Sequence, residues 1–448
     1  MRRWWLAGLA LAVLLGGAGG VLVLGGRTTS VSGLPPSGRP SPDPSRTPLL
    51  AAPGGGAVPS TAGLRRALDT VLHDPGLGTR VAVSVLDAAS GAALLEIGAG
   101  QPVPPASTAK IATALAVLTV LPADRRFTTT VVQGAPGDVV LVGAGDPTLA
   151  GRSAPPGFPG RARLADLAAQ LKGVAVRRVV VDDRLFAGPR TGPGWKPGYV
   201  THGDVSPVSA LAVDGGRLSG DKGAPRSQDS AVDAGRQLAA LLRVTTVVRG
   251  AAPVGATVLA HADSPTVGEL VESMLTSSDN NLAEALGRQV ALAGKLPPTF
   301  DGESAAIEAA VVPLLARAGL GGRPLALRDA SGLSPLDRLR PAALSRLLAL
   351  ADRDARFAPL LSGLPVAGFD GTLADRYRKG RTAAAAGAVR AKTGTLDGVS
   401  ALAGLVRTRG GRLLAFDLTA DRVPAGGTLQ AQFALDRVAT VLASCGCP

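Results

Sequence analysis

Gln101 to Leu121 reads QPVPPASTAKIATALAVLTVL, and this stretch decides the fold. A proline pair, Pro104-Pro105, breaks the preceding structure, and Ser107 stands where an N-cap or first-turn residue belongs. From Ile111 to Leu121 the run is apolar all round, which predicts a helix buried on every side. Ser107 and Lys110 are three residues apart and so share one face of the helix start. A serine hydroxyl is a poor nucleophile until a nearby base takes its proton. A lysine in apolar surroundings, near another cation, holds its own proton less tightly and can be that base.

Two further patterns follow in order, Ser278-Asp279-Asn280 and Lys392-Thr393-Gly394-Thr395. Lysine occurs seven times in the chain and asparagine twice, so motifs built on either are informative. A second S-x-x-K, Ser219-Gly220-Asp221-Lys222, sits in a Gly/Asp turn with no apolar helix after it, and its lysine would stay solvated. Each motif has an ordinary use as well. Ser107 can simply cap a helix, Ser278 and Asn280 can cap the helix starting near Leu282, and Lys392-Thr393-Gly394 can be a solvated turn. All three together, in order, with the first opening a buried helix and the last leading into a strand hairpin, form a pattern that three separate ordinary uses do not explain.

The chain resembles the D-alanyl-D-alanine carboxypeptidases of the penicillin-binding protein 4 type, peptidase family S13, over roughly residues 61 to 443. Gly145-Asp146-Pro147-Thr148-Leu149, Pro207-Val208-Ser209-Ala210-Leu211, Asp329-Ala330-Ser331-Gly332-Leu333-Ser334 and Gly371-Thr372-Leu373 look like family landmarks. The long gap between Ser107 and Ser278 matches the family's inserted region. Pro335 departs from the pattern, standing where many members carry a basic residue.

The resemblance implies an α/β fold, a penicillin-binding/β-lactamase-like core with an antiparallel sheet between helices. It also implies the roles. Ser107 would attack the penultimate D-Ala carbonyl of a peptidoglycan stem peptide, and Lys110 would take its proton. Ser278 would relay a proton to the leaving D-Ala, while Asn280 binds the peptide backbone and steadies Lys110. Lys392, Thr393 and Thr395 would hold the terminal carboxylate, and Gly394 would let substrate lie against the strand. The Ser107 and Thr395 N–H groups would form the oxyanion hole. β-Lactams would acylate Ser107 as inhibitors, and no cofactor is required.

Around these motifs, residues 61–127 and 226–448 are expected to form the peptidase core, with 128–225 an inserted β-rich region. Helical spacing marks Ala62–Leu72, Ala231–Leu242, Val267–Leu275, Ala283–Leu292, Ala305–Ala318, Pro341–Leu350 and Gln430–Leu442. Strand patterns fall at Val81–Leu86, Ala93–Ile97, Thr128–Val132, Val139–Val142, Arg178–Val181, Val399–Val406 and Leu413–Leu418. Ala383–Ala386 favours helix by propensity, close to the strand expected to carry Lys392.

Before the fold comes Met1-Arg2-Arg3 and an uncharged run from Trp4 to Leu24, about 31 Å as a helix and enough to span a bilayer. Residues 1–27 are expected to be a signal-anchor or signal peptide, with the N-terminus cytoplasmic and the body outside. Residues 28–60 read as a Pro/Gly/Ser-rich linker.

A hydrophobic fraction of 46% excludes wholesale disorder. The net charge of +13 comes from scattered arginines with 3% aromatics, which argues against nucleic acid. Three histidines and no paired C-x-x-C leave no metal site to expect. The single residue between Cys445 and Cys447 disfavours a relaxed disulfide. Two competing functions use the same scaffold. A β-lactamase or esterase would need a deacylating base, for which Glu284 is the nearest candidate; a silent cell-wall binding protein would more often have lost Ser107 or Lys110.

Overall fold

The computed structural model describes residues 56–152, 160–221 and 223–446. The apolar Trp4–Leu24 segment, the linker as far as residue 55, and Cys447 lie outside them. Among the described residues no helix is long and apolar enough to cross a membrane.

Ser60 accepts the Gly63 N–H at 3.0 Å and starts α1 (Thr61–Leu72), which leads to the hairpin β1 (Val81–Asp87) and β2 (Ala93–Ile97). A 3-10 turn over Ala106–Ala109 runs straight into α2 (Lys110–Val120), buried from Lys110 to Leu118. Next come β3 (Thr128–Gln133), β4 (Asp138–Val142), α3 (Leu164–Gln170), β5 (Arg178–Asp182), α4 (Ser230–Leu241), β6 (Thr246–Arg249) and β7 (Val258–Asp263). Then follow α5 (Val267–Ser277), α6 (Asn280–Ala293), α7 (Phe300–Arg317), β8 (Leu325–Ala326), β9 (Arg338–Leu339), α8 (Pro341–Asp352) and α9 (Ala358–Gly363). The closing elements are β10 (Val389–Leu396), β11 (Val399–Arg407), β12 (Leu413–Ala420) and α10 (Thr428–Ser444).

The first sheet has the order β10-β11-β12-β1-β2 and is antiparallel throughout. Side chains alternate across it, as the strand period requires. Val83, Val85, Leu402 and Phe416 pack on the side of α1 and α10, while Ala403, Leu405 and Ala415 face the α2 and α8 side. The small alanines on that second side let the helices approach closely, so α2 is enclosed by α5, α6, α7, α8 and the sheet. This is the antiparallel sheet between helices that the motifs implied.

The second sheet has the order β6-β5-β4-β3-β7, with β4, β5 and β6 parallel, and α3 and α4 pack on one face. Its strands therefore run from Thr128 to Asp263. The expected limit at residue 225 falls inside this module, because β6 and β7 join it rather than the core. Those strands are short and largely exposed, so they lack the apolar run that marks β4 and β5. Ala383–Ala385 does turn helically, but as the end of a 3-10 segment, Gly380–Ala385. Cys445 is engaged in a disulfide.

Candidate active site

Ser107 sits in the 3-10 turn one step before α2, and the residue ahead of it, Ala106, is held at φ +48°. Left-handed backbone in a non-glycine residue is strained and persists only where the surroundings enforce it. Here Gly332, itself at φ +77°, passes so close that a Cβ on it would stand 1.9 Å from the Ala106 carbonyl oxygen. The turn is wedged from a second side by β10: a Cβ on Gly394 would meet the Pro105 oxygen at 2.8 Å. The space left by Gly394 is thus filled in part by the turn that carries Ser107.

Lys110 is fully buried, and its Nζ makes three hydrogen bonds. It donates to Ser107 Oγ at 3.0 Å, to Asn280 Oδ1 at 2.6 Å and to the Ser331 carbonyl at 2.7 Å. Asn280 is fixed in turn by donating from Nδ2 to the Asp204 carbonyl at 2.9 Å. Burial pulls the Lys110 ammonium down to about 8, against the opposing pull of Asp329, Glu284, Asp279 and Asp337.

Ser278 caps α5 in the left-handed conformation, φ +59°, and its Oγ accepts from Lys392 Nζ at 2.8 Å. Lys392 also donates to the Thr393 carbonyl at 2.9 Å and is fully buried. Burial first, and then the charge of Lys110, push its pKa well below the usual lysine value. Asp279 caps α6 by accepting the Leu282 N–H at 3.0 Å and pairs with Arg217 at 2.9 Å. Burial would raise its pKa, but Arg226 and Arg217 outweigh that and hold it at about 2.

β10 is an edge strand, and its first half is covered: the Ala391 N–H donates to the Pro365 carbonyl at 2.9 Å. Strand periodicity then turns the N–H groups of Thr393 and Thr395 off the same edge, where no other strand lies. Thr393 Oγ1 donates to Thr372 Oγ1 at 2.9 Å, and Gln432 Nε2 donates to Thr395 Oγ1 at 3.3 Å. Every residue that the three motifs nominated is therefore in one cleft, between α2, α5–α6 and the open half of β10. Thr372 lies in the Gly371-Thr372-Leu373 landmark. The Ser331 and Asp204 carbonyls act through the backbone and leave no mark in the sequence. Among the described residues no group of His, Cys, Asp or Glu is arranged to hold a metal ion.

A serine, two lysines and an asparagine in this arrangement can activate a hydroxyl and move protons without a metal. The family model of the D-Ala-D-Ala carboxypeptidase 3 (S13) family matches residues 64–224 and 219–441. The chain belongs to this S13 family. It is 39% identical to Carboxypeptidase DacB of Mycolicibacterium smegmatis over 459 residues, covering 98% of this chain and 96% of the relative. A carboxypeptidase of Mycobacterium tuberculosis is 40% identical over 407 residues, 87% of this chain and 86% of that one. In fold, the S13 chain is similar to penicillin binding protein 4 of Haemophilus influenzae, with TM-score 0.67 at 21% identity, covering 85% of this chain and 97% of that one.

Proposed function

We infer that the protein is a serine D-Ala-D-Ala carboxypeptidase that works through an acyl-enzyme on Ser107. The observation carrying this is the unbroken contact from Ser107 Oγ to Lys110 Nζ, with Ser278 and Lys392 paired across the cleft. In its neutral form Lys110 takes the Ser107 proton as Oγ attacks the penultimate D-Ala carbonyl. The Ser107 and Thr395 N–H groups receive the oxyanion, where one such donor is worth about 3–4 kcal/mol. Ser278 passes its proton to the departing D-Ala nitrogen and recovers one from the Lys110 ammonium, which returns Lys110 to its neutral form. The buried Lys392 amine holds the Ser278 hydroxyl in place. Thr393 and Thr395 take the terminal carboxylate on the open edge of β10. Water, with Lys110 again as base, then hydrolyses the ester.

The substrates on this reading are peptidoglycan stem peptides, and β-lactams acylate the same oxygen. The work site is outside the cytoplasm, the chain being tethered by its N-terminal segment or released if that is cleaved. Residues 128–263 form the inserted module on the peptidase core. Glu284, the candidate deacylating base of a β-lactamase, is buried and accepts the Ser331 N–H at 2.9 Å, which argues against that alternative.

A stem pentapeptide ending in D-Ala-D-Ala tests the assignment. The full-length protein should release one D-Ala per peptide, and Ser107→Ala should release none. Cleavage of crosslinked dimers with no D-Ala release from the pentapeptide would make it an endopeptidase instead; no cleavage of either would overturn the assignment.

A further inference from the structure

Beneath Lys110 lies a vault of buried carboxyl groups that the acylation steps above do not use. Glu284 is one helical turn beyond Asn280 on α6, so the two share a face. It is fully buried, and its Oε1 accepts the Ser331 N–H at 2.9 Å while Oε2 lies 3.4 Å from the Ala330 N–H. The other side of that same short segment meets α2. The Ser331 carbonyl accepts Lys110 Nζ at 2.7 Å, and the Ala330 carbonyl accepts Thr113 Oγ1 at 2.6 Å. Glu284 and Lys110 thus hold the backbone of one residue, Ser331, by its N–H and its C=O.

Glu303, from α7, is fully buried, and burial first, then the charge of Glu284, raise its pKa well above the usual carboxyl value. Among the described residues neither of its carboxyl oxygens accepts a hydrogen bond. Arg288 lies 3.3 Å from Glu303 and stacks on the Phe300 ring, 4.2 Å from its centroid. From the 329–334 loop side, Asp329 accepts the N–H groups of Gly332 at 2.6 Å and Ser334 at 2.7 Å. Asp337 completes the vault, buried and accepting the Arg328 N–H at 2.6 Å. The charged groups facing the pair are then Lys110 from α2, Arg288 from α6, and Asp329 and Asp337 from the loop. Asp279 bears on Lys110 from the start of α6, and Lys392 from β10.

We propose that Glu284 is a positioning residue for acylation: it fixes the Ser331 carbonyl against Lys110, and its negative charge holds the proton on that lysine. The proposal rests on Lys110 being the base. A buried charge at this range acts strongly, because little water screens it. Burial and Asp329 hold the Glu284 carboxyl up at about 7, close to the value of about 8 for Lys110. The two groups therefore titrate in one pH range and oppose each other, since losing the Glu284 proton makes the Lys110 proton harder to remove. Burial and the Glu284 charge favour the neutral form of Glu303.

The test is the acylation rate of the full-length protein by benzylpenicillin, measured from pH 5 to 10 by intact mass. Glu284→Gln should move the acid limb of the rate profile to lower pH by roughly half a unit or more, because it removes the anion but keeps an acceptor for Ser331. Glu303→Gln, which replaces a neutral donor by another, should leave the limb where it is. A purely structural Glu284 would lower the rate at every pH without moving the limb, and that result would overturn the proposal. Should Glu284→Gln not fold, the wild-type limb decides. Opposing titrations spread it wider than a one-proton curve, and a strict one-proton limb contradicts the proposal. Failure of the wild-type protein to acylate at all would instead count against the serine-peptidase assignment.

Discussion

Lys110 meets a hydroxyl, an amide oxygen and a carbonyl, and no carboxylate touches it. That choice of partners matters, because a direct ion pair would keep the ammonium charged and spoil the base. With its pKa drawn down by burial to about 8, the neutral fraction grows as pH rises through that value. Acylation should therefore speed up from pH 6 to 9 and then level off; a rate flat over that range would deny Lys110 the role of base. Asn280→Ala removes one of its three partners and should slow acylation by about ten- to a hundredfold, while the melting temperature changes little.

Asp417 is another buried carboxyl, placed mid-sheet on β12, where Thr419 Oγ1 donates to it at 2.7 Å. Burial raises its pKa to about 7 from an unfolded value of 3.8. Its contribution is full below the unfolded value and is lost as pH rises through the folded one. At about 1.4 kcal/mol per unit, the loss has an upper limit of roughly 4 kcal/mol. Asp417→Asn should thus gain stability relative to wild type between pH 4 and pH 8, as read from denaturant midpoints. An unchanged difference across that window would show that folding does not raise the Asp417 pKa.

Among the elements, the 3-10 turn of Ala106–Ala109 depends on two neighbours more than on its own sequence. Gly332 and Gly394 clamp it from the 329–334 loop and from β10, and neither has room for a methyl group. Gly332→Ala adds positive-φ strain to a 1.9 Å clash, so it should displace Ser107 and cut acylation far more than its effect on melting explains. Full acylation in a folded Gly332→Ala protein would show that the turn is set locally.

The same comparison shows what the sequence made legible. Ser107 and Lys110 are neighbours on one helix start, so their contact follows from spacing alone. Asn280 could be paired with Lys110 only through the family pattern, being far apart in sequence, and the contact of Ser278 with Lys392 was not anticipated. The carbonyls of Ser331 and Asp204 were invisible, since any residue type carries one. β10 was expected only through the resemblance, as the strand bearing Lys392, because Thr393 and Thr395 break its burial pattern.

At the scale of the whole molecule, residues 128–263, proposed above as an inserted module, are sewn to the rest of the chain where the chemistry is. Trp195 Nε1 donates to Asp329 Oδ2 at 2.7 Å, Ser334 Oγ donates to the Pro193 carbonyl at 2.6 Å, and Gln289 Nε2 donates to the Ala144 carbonyl at 2.7 Å. Asn281 Nδ2 donates to Ser206 Oγ at 2.7 Å, next to the Asn280–Asp204 contact. The receiving groups on the core are α6 and the 329–334 loop, both of which hold Lys110. Trp195→Phe removes one donor to a buried carboxylate, at about 1–3 kcal/mol, and should lower melting temperature and acylation rate together. A fall in stability with acylation untouched would mean that the module is only attached, not part of the site's support.

The central claim is that Ser107 is the nucleophile of an acyl-enzyme. Intact mass of the full-length protein after exposure to benzylpenicillin tests it most directly. Wild type should gain one equivalent of the drug, and Ser107→Ala, still folded, should gain none. An adduct that persists in Ser107→Ala would place the nucleophile elsewhere and contradict the account.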